Sequence, residues 1–320
     1  MTLPQVLISG YPSFDRILRV DRAPQVGETG IILDPPGIPL PTPGGCAGNI
    51  AVCLARLGVP AAPSLILGDD EAGLHMAALL QAEKVSPECL TFKAGGKTAA
   101  TFLFINPQGG HQTFYFPGCA DEDTEIRLPP ELVQAARFAV ITVASRQHTE
   151  RFLRGLENSP ARLVWSLRND PHAFPPALVQ QLLQRCRILV MNRFEQQALM
   201  GWIAADRMQV LFERGVEALI VTLGEEGSLI YEPGGVTKIP AVAPQTLIDP
   251  TGAGDAYLGG LLSGLCRGYP LEISARIGAV TASFVLEAWG CQTSLPKWEQ
   301  MVNRYYQTFR EYLPEKDIFL

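Results

Sequence analysis

Six short runs of apolar and β-branched residues punctuate the chain: "VLIS" (Val6 to Ser9), "SLIL" (Ser64 to Leu67), "FAVITV" (Phe138 to Val143), "RLVWSL" (Arg162 to Leu167), "RILVMN" (Arg187 to Asn192) and "ALIVTLG" (Ala218 to Gly224). Near-continuous apolarity over so few residues predicts strands covered on both faces. Between them the spacing of apolar positions turns helical, in "GNIAVCLARLG", "AGLHMAALLQAE", "HTERFLRGLEN", "PALVQQLLQRC" and "RMQVLFERGV". Strand and helix alternate, which predicts an α/β fold: a doubly wound, mostly parallel sheet in an αβα sandwich. After Gly254 the pattern is helical almost to the end, and "DAYLGGLLSGLCRG" is apolar nearly all round, as a buried helix requires.

Two regions break the alternation. Residues 14–43 and 97–117 carry strand-like residues around Gly- and Pro-rich turns without helices, and the second predicts a hairpin turning at "NPQGG". Together they predict a small β-sheet projecting from one domain that spans residues 1–320. Such a sheet serves either as a lid over an active site or as a structural flap and dimer contact.

Composition narrows the function classes. At 320 residues and 47% hydrophobic, the chain has enough apolar surface for a large core, and no segment has the length of uninterrupted apolar residues that a membrane span needs. The first residues lack a cationic, then apolar, leader, so a cytoplasmic location is expected. Seven scattered cysteines form no C-x-x-C pair, which points away from a disulfide framework or a zinc site. A net charge of −6 with no basic run argues against a nucleic-acid partner.

Four loops at the ends of predicted strands carry candidate chemistry. In "LIDPTGAGDAYLGG", Gly252, Ala253 and Gly254 leave backbone N–H groups uncovered where a helix begins, which makes an anion site. Asp255, in the first turn, is either a helix cap or a proton acceptor beside a transferring phosphoryl group. In "PTPGGCAGNIAVCLARLG", Gly44 and Gly45 permit close approach of a ligand, and Asn49 either caps the following helix or meets sugar hydroxyls. "VMNRFEQQAL" sets Asn192 and Glu195 three apart at a helix start, a spacing that capping alone explains. "VTLGEEGSLIY" adds Thr222, Gly224 and Gly227 at another strand end. Familiar nucleotide motifs are missing: "AGGKTA" lacks the first glycine of a P-loop, and no G-x-G-x-x-G follows the first strand.

Taken together, "GGCAGNIAVCLARLG" and "DPTGAGDAYLGGLLSGL" resemble the N- and C-terminal signatures of the ribokinase-like, phosphofructokinase-B type carbohydrate kinases, with "VMNRFE", "VTLGEEG" and "GCQTSLP" in the family's order. The resemblance implies transfer of the γ-phosphoryl group of ATP to a hydroxymethyl group of a small sugar. Adenosine or another nucleoside is the alternative acceptor, and a non-catalytic sugar- or nucleotide-sensing homologue the alternative class. It implies Asp255 as general base and Gly252 to Gly254 as anion hole. Asn192, Glu195, Thr222, Gly224 and Gly227 fall on the ATP side, with magnesium held at Glu195 through water. Asp15, Gly44, Gly45 and Asn49 match acceptor-binding positions. Many members also hold a monovalent cation, which makes Asp249, Thr251 and Ser294 candidates for a potassium loop, and relatives often pair through the lid as homodimers. One stretch departs from the pattern. Ketodeoxygluconate- and fructokinase-type members carry Asp-x-Asn-x-Arg after the central strand, whereas "WSLRNDPHAF" puts Ser166 and Arg168 where the acid and amide are expected. "HQTFYFPGCADE" is instead similar to a segment of adenosine and nucleoside kinases, where Phe114, Tyr115 or Phe116 would stack on a base or simply pack.

Overall fold

The computed structural model describes residues 3–33, 41–108 and 110–314. Its first half contains the strands β1 (Val6–Ser9), β2 (Ser13–Arg19), β3 (Thr42–Gly44), β4 (Ala61–Gly68), β5 (Leu90–Lys93), β6 (Ala100–Ile105), β7 (His111–Phe116) and β8 (Phe138–Ile141). The second half adds β9 (Arg162–Ser166), β10 (Cys186–Asn192), β11 (Ala218–Thr222), β12 (Ser228–Glu232) and β13 (Gly235–Ile239). The helices are α1 (Cys46–Arg56), α2 (Glu71–Ala82), α3 (Pro130–Ala135), α4 (Arg146–Gly155), α5 (Pro176–Arg185), α6 (Arg193–Trp202), α7 (Gln209–Glu213), α8 (Ala253–Cys266), α9 (Leu271–Val285) and α10 (Trp298–Phe309).

Each of the six apolar runs lies in the large sheet, ordered β13-β12-β11-β10-β9-β8-β1-β4-β5. From β5 to β11 all pairs are parallel. Side chains alternate between two cores, as the pleat dictates. Val6, Ile8, Val140, Val164 and Ile188 face α1, α8, α9 and α10, whereas Leu7, Ala139, Leu163, Trp165 and Leu189 face the layer of α3 to α7. Because both faces are dry, these strands carry no polar alternation, which is why they stand out in the sequence. The edges do not. β12 and β13 form an antiparallel hairpin on β11; β12 alternates buried with half-buried positions and β13 is largely exposed up to Ile239, so neither reads as an apolar run. The helix expected over "RMQVLFERGV" is also shorter, being confined to α7.

A second, four-stranded sheet has the order β3-β2-β6-β7. It draws strands from both regions that lacked helices, and the hairpin expected at "NPQGG" is β6–β7; residues 34–40 and Gly109 lie outside the described residues. Register aligns Asp15 with Thr101 and Tyr115, and Ile17 with Leu103 and Thr113. Neighbours in register share a face, so Asp15, Ile17, Thr101, Leu103 and Tyr115 line one side of this lid. Among the described residues no helix is long and apolar enough to cross a membrane.

Candidate active site

Parallel strands send all their C-terminal ends to one rim, and a doubly wound sheet opens a crevice there between strands whose connections run opposite ways. Here that place is beside β1, whose connections lead to β4 on one side and whose other neighbour is β8. Candidate residues from α1, α6, α8 and the loop after β9 converge on it.

The α8 turn is set by Gly252, its N-cap, at φ 82°. A side chain at this position would be strained, and its Cβ would come within 2.7 Å of the Cβ of Cys291. One turn on, Asp255 is 6% exposed. It is not a cap, since no side chain caps α8. Its Oδ2 accepts from Nδ2 of Asn49 at 2.9 Å, and its Oδ1 from Nη2 of Arg168 at 2.8 Å. Asn49 does not cap either. The N-cap of α1 is Gly45 at φ 83°, and Asn49 lies a turn inside the helix. Its Oδ1 accepts from Nε2 of Gln292 at 2.9 Å, so the amide is held from both sides with its N–H pointed at the carboxylate.

At the start of α6 the capping explanation holds. Asn192 Oδ1 accepts from the N–H groups of Phe194 and Glu195, each at 2.9 Å, and Glu195 Oε2 accepts from the N–H of Asn192 at 2.7 Å. This reciprocal box leaves Oε1 of Glu195 free to face Arg168, whose Nη1 is 3.6 Å away. Burial pushes the Glu195 carboxyl above its ordinary range, and the guanidinium of Arg168 and the Asn192 N–H draw it back. Arg168 Nη2 also lies 3.5 Å from Sγ of Cys46, whose thiol burial pushes up to about 12 and so keeps neutral.

Thr222 pairs with Asn192 across β10 and β11, and its hydroxyl donates to the carbonyl of Met191 at 3.5 Å. Gly224 and Gly227 bound the next turn, both at positive φ. Asp249 is 2% exposed and accepts from the N–H groups of Thr251 at 2.9 Å and Gly290 at 3.0 Å. Ser294 donates to the carbonyl of Phe284 at 2.6 Å. Asp249 thus ties the two loops together, and Ser294 fastens the second to the end of α9.

On the lid side, Oδ1 of Asp15 accepts from the Ser13 hydroxyl at 2.6 Å, and the carboxylate sits so close over Gly44 that a Cβ there would be 2.0 Å from Oδ2. Burial raises the Asp15 carboxyl, the hydroxyls of Ser13 and Thr101 draw it back, and the charge of Asp255 adds to the rise. Beside them the rings of Tyr11 and Tyr115 lie 5.1 Å apart. The Tyr11 hydroxyl donates to Asp121, and that of Tyr115 to the carbonyl of Pro12 at 3.4 Å. Burial holds both phenols above their ordinary range, with Asp121 adding to it. A cleft of about 650 Å³ lined by Arg56, Arg267 and Trp298 lies at the other end of α8, away from these groups.

Arg168, Gln292, Tyr11 and Asp121 carry no pattern of their own in the sequence. Arg168 left a signal as a departure at a strand end, and Gln292 and Asp121 lie within the quoted "GCQTSLP" and "HQTFYFPGCADE" without being singled out. The arrangement provides a buried carboxylate at a helix start that also offers backbone N–H donors, with a cation between it and a second carboxylate. It can accept a proton while a neighbouring anion is neutralised.

The profile of the pfkB family carbohydrate kinases matches residues 41–298. A nucleoside kinase from Methanocaldococcus jannaschii is 29% identical over 94% of this chain and 97% of its own. A cytidine kinase from Thermococcus kodakarensis is 28% identical over 83% and 96%. The crystal structure of a Methanocaldococcus jannaschii nucleoside kinase, described as an archaeal member of the ribokinase family, superimposes with a TM-score of 0.85 at 27% identity, over 96% of this chain and 100% of that one. The fold is that of the ribokinases, and the activity is ATP-dependent phosphorylation of an alcohol group on a sugar or nucleoside. The chain belongs to the pfkB family of carbohydrate kinases.

Proposed function

We propose that this kinase phosphorylates the hydroxymethyl group of a nucleoside, with Asp255 as general base. The observation that carries the acceptor class is the lid face. Next to Asp15, which is suited to ribose hydroxyls, it presents the paired rings of Tyr11 and Tyr115 and the half-buried Ile17 and Leu103. A flat, apolar base has something to lie against there, and a free sugar does not use it. The nucleoside and cytidine kinase relatives support the same reading. A simple sugar is the second reading, favoured by the polar end of the space, where Asp15 and Asn49 suffice to hold hydroxyls without any base.

In the proposed reaction the acceptor hydroxyl gives its proton to Asp255 as its oxygen bonds to the γ-phosphorus. The bond from that phosphorus to the bridging oxygen breaks, and ADP leaves with the electron pair. N–H groups of Gly252, Ala253 and Gly254 offset charge on the transferred group, that of Ala253 by turning from the Pro250 carbonyl it meets at 3.3 Å. Asn192, Glu195, Thr222, Gly224 and Gly227 lie on the nucleotide side, and Asp15, Gly44, Gly45 and Asn49 on the acceptor side. Oε1 of Glu195 is a hard oxygen donor left over by the capping box, which fits magnesium held through water. Asp249 spends its bonds on Thr251 of its own loop and Gly290 of the other, and Ser294 on the end of α9, which fits a potassium site made of backbone carbonyls that they support. The opposite lid face exposes Phe114 by 59% and Phe116 by 50%, which supports pairing of two lids in a homodimer.

The test is a panel of nucleosides and free sugars with Mg-ATP, with and without potassium, followed by mass spectrometry of the product. A nucleoside should exceed ribose and fructose in kcat/KM by about tenfold or more, the equivalent of one buried aromatic contact. A free sugar turned over as well as every nucleoside would sink the nucleoside assignment.

A further inference from the structure

Both carboxylate oxygens of Asp255 already have donors: Oδ2 takes the Asn49 amide and Oδ1 takes Arg168. Each oxygen keeps a second lone pair for an acceptor hydroxyl, but a proton moving onto this carboxylate is repelled by a guanidinium held on it, so the cation must give way. Asn49 is anchored, being inside α1, 4% exposed, and gripped by Gln292. Arg168 lies in the loop after β9 at the end of a long side chain that is 28% exposed. Its guanidinium bridges two buried carboxylates, Asp255 at 2.8 Å and Glu195 at 3.6 Å. Those acids belong to α8 and α6, the helix starts between which a transferring phosphoryl group has to pass. Three anions meeting there would repel one another unless a cation moved among them.

We infer that Arg168 is a mobile counter-ion of the transfer site: parked on Asp255 when the site is empty, it passes to the γ-phosphoryl group when ATP binds and so uncovers the oxygen that receives the acceptor's proton. This rests on the kinase reading and adds a residue and an order of events to it. A phosphoryl group offers the planar fork of arginine two oxygens side by side, a stronger partner than the single oxygen it holds on Asp255. Ser166 Oγ and the carbonyl of Leu167, at 3.3 and 3.1 Å from Nη1, steady the other nitrogen while Nη2 changes partner. One side chain thereby suppresses an unpaired base in the empty enzyme and neutralises charge in the loaded one.

Binding separates this from a structural ion pair. Calorimetry with ADP and with a non-hydrolysable ATP analogue should show Arg168→Gln losing about tenfold or more in analogue affinity, one charge-assisted hydrogen bond, with ADP affinity within about twofold. Arg168→Lys should recover part of that loss. Asp255→Asn, which removes the competing carboxylate, should tighten the analogue by severalfold. In turnover, kcat of Arg168→Gln should fall by about 10²–10³ with little change in acceptor KM. Analogue and ADP weakening together, or neither changing while kcat stays within about threefold, would overturn the inference. If Arg168→Gln melts early, the Lys and Asp255→Asn binding results decide it, because Lys keeps the charge. A wild-type enzyme inactive on every acceptor would strike the kinase reading instead, and the analogue-to-ADP ratio would still report on Arg168.

Discussion

The α8 turn and the β-lid meet at the same space but are built in opposite ways. Asp255 is 6% exposed, with both oxygens bonded and a helix packed around it, whereas the lid strand β7 leaves Phe114 and Phe116 half uncovered. From Asp255 onward α8 belongs to the core beside the large sheet, buried at every position to Cys266, and Gly252 is wedged against Cys291. The lid is a single layer whose two faces meet different partners, and its residues are held mainly by strand pairing. A turn of that kind can hold a proton acceptor and an anion site in fixed geometry. A lid of that kind can close and can change its lining from one relative to the next. On the proposed function, the reaction is therefore written in the rigid part and acceptor choice in the open one.

The sharpest way to break this division is Asp255→Asn. It should lower kcat by about 10²–10⁴, the contribution of a placed general base, while the protein still folds and binds an ATP analogue. A variant that keeps more than about a tenth of wild-type kcat would remove the base from the turn. Stability offers the second test. His148, on α4, is 3% exposed and lies 3.2 Å from the Ser64 hydroxyl on β4. Burial lowers its pKa to about 4, with Arg151 adding to the shift. The unfolded chain, near the ordinary value, takes up the proton first. Stability is thus fully present above about pH 6.5 and is lost as pH falls toward 4, by a total on the order of 3 kcal/mol. Urea unfolding at pH 7 and pH 4 should show that loss in the wild type and a clearly smaller one in His148→Gln, with acceptor KM at pH 7 unchanged. An equal loss in both would place the acid sensitivity elsewhere. The smallest effect belongs to the lid: Tyr115→Ala should raise the KM for a nucleoside about tenfold, leave kcat within about twofold, and leave turnover of a free sugar untouched. A fall in kcat of the size seen for Asp255→Asn would mean that the lid carries chemistry as well as recognition.

The same contrast governs how much could be read from the chain. Val6 to Ser9, Phe138 to Val143 and Ala218 to Gly224 were visible because strands dry on both faces have no choice but to be apolar. β12, half-buried at alternate positions, and β13, exposed along most of its length, were not. Gly252 and Asp255 stood out because backbone conformation and an acid coincide in one short turn. Asn49 and Asp255 carried an ambiguity between cap and ligand that only the fold resolves: neither caps a helix, and they bond to each other across 206 positions. Asn192 and Glu195 resolve the other way, as a capping box whose spare oxygen still faces the site.

By itself the sequence determined the layered α/β architecture, the glycine-rich turn that starts α8 and the kinship with carbohydrate kinases, because periodicity and short glycine-acid motifs are local properties. Only the tertiary structure decided that Arg168 bridges Asp255 and Glu195, that Gln292 orients Asn49, and that Tyr11 and Tyr115 pair beside Asp15. Those are contacts between side chains brought in from separate strands and loops. Their energies depend on distance and burial, neither of which is written in the order of residues.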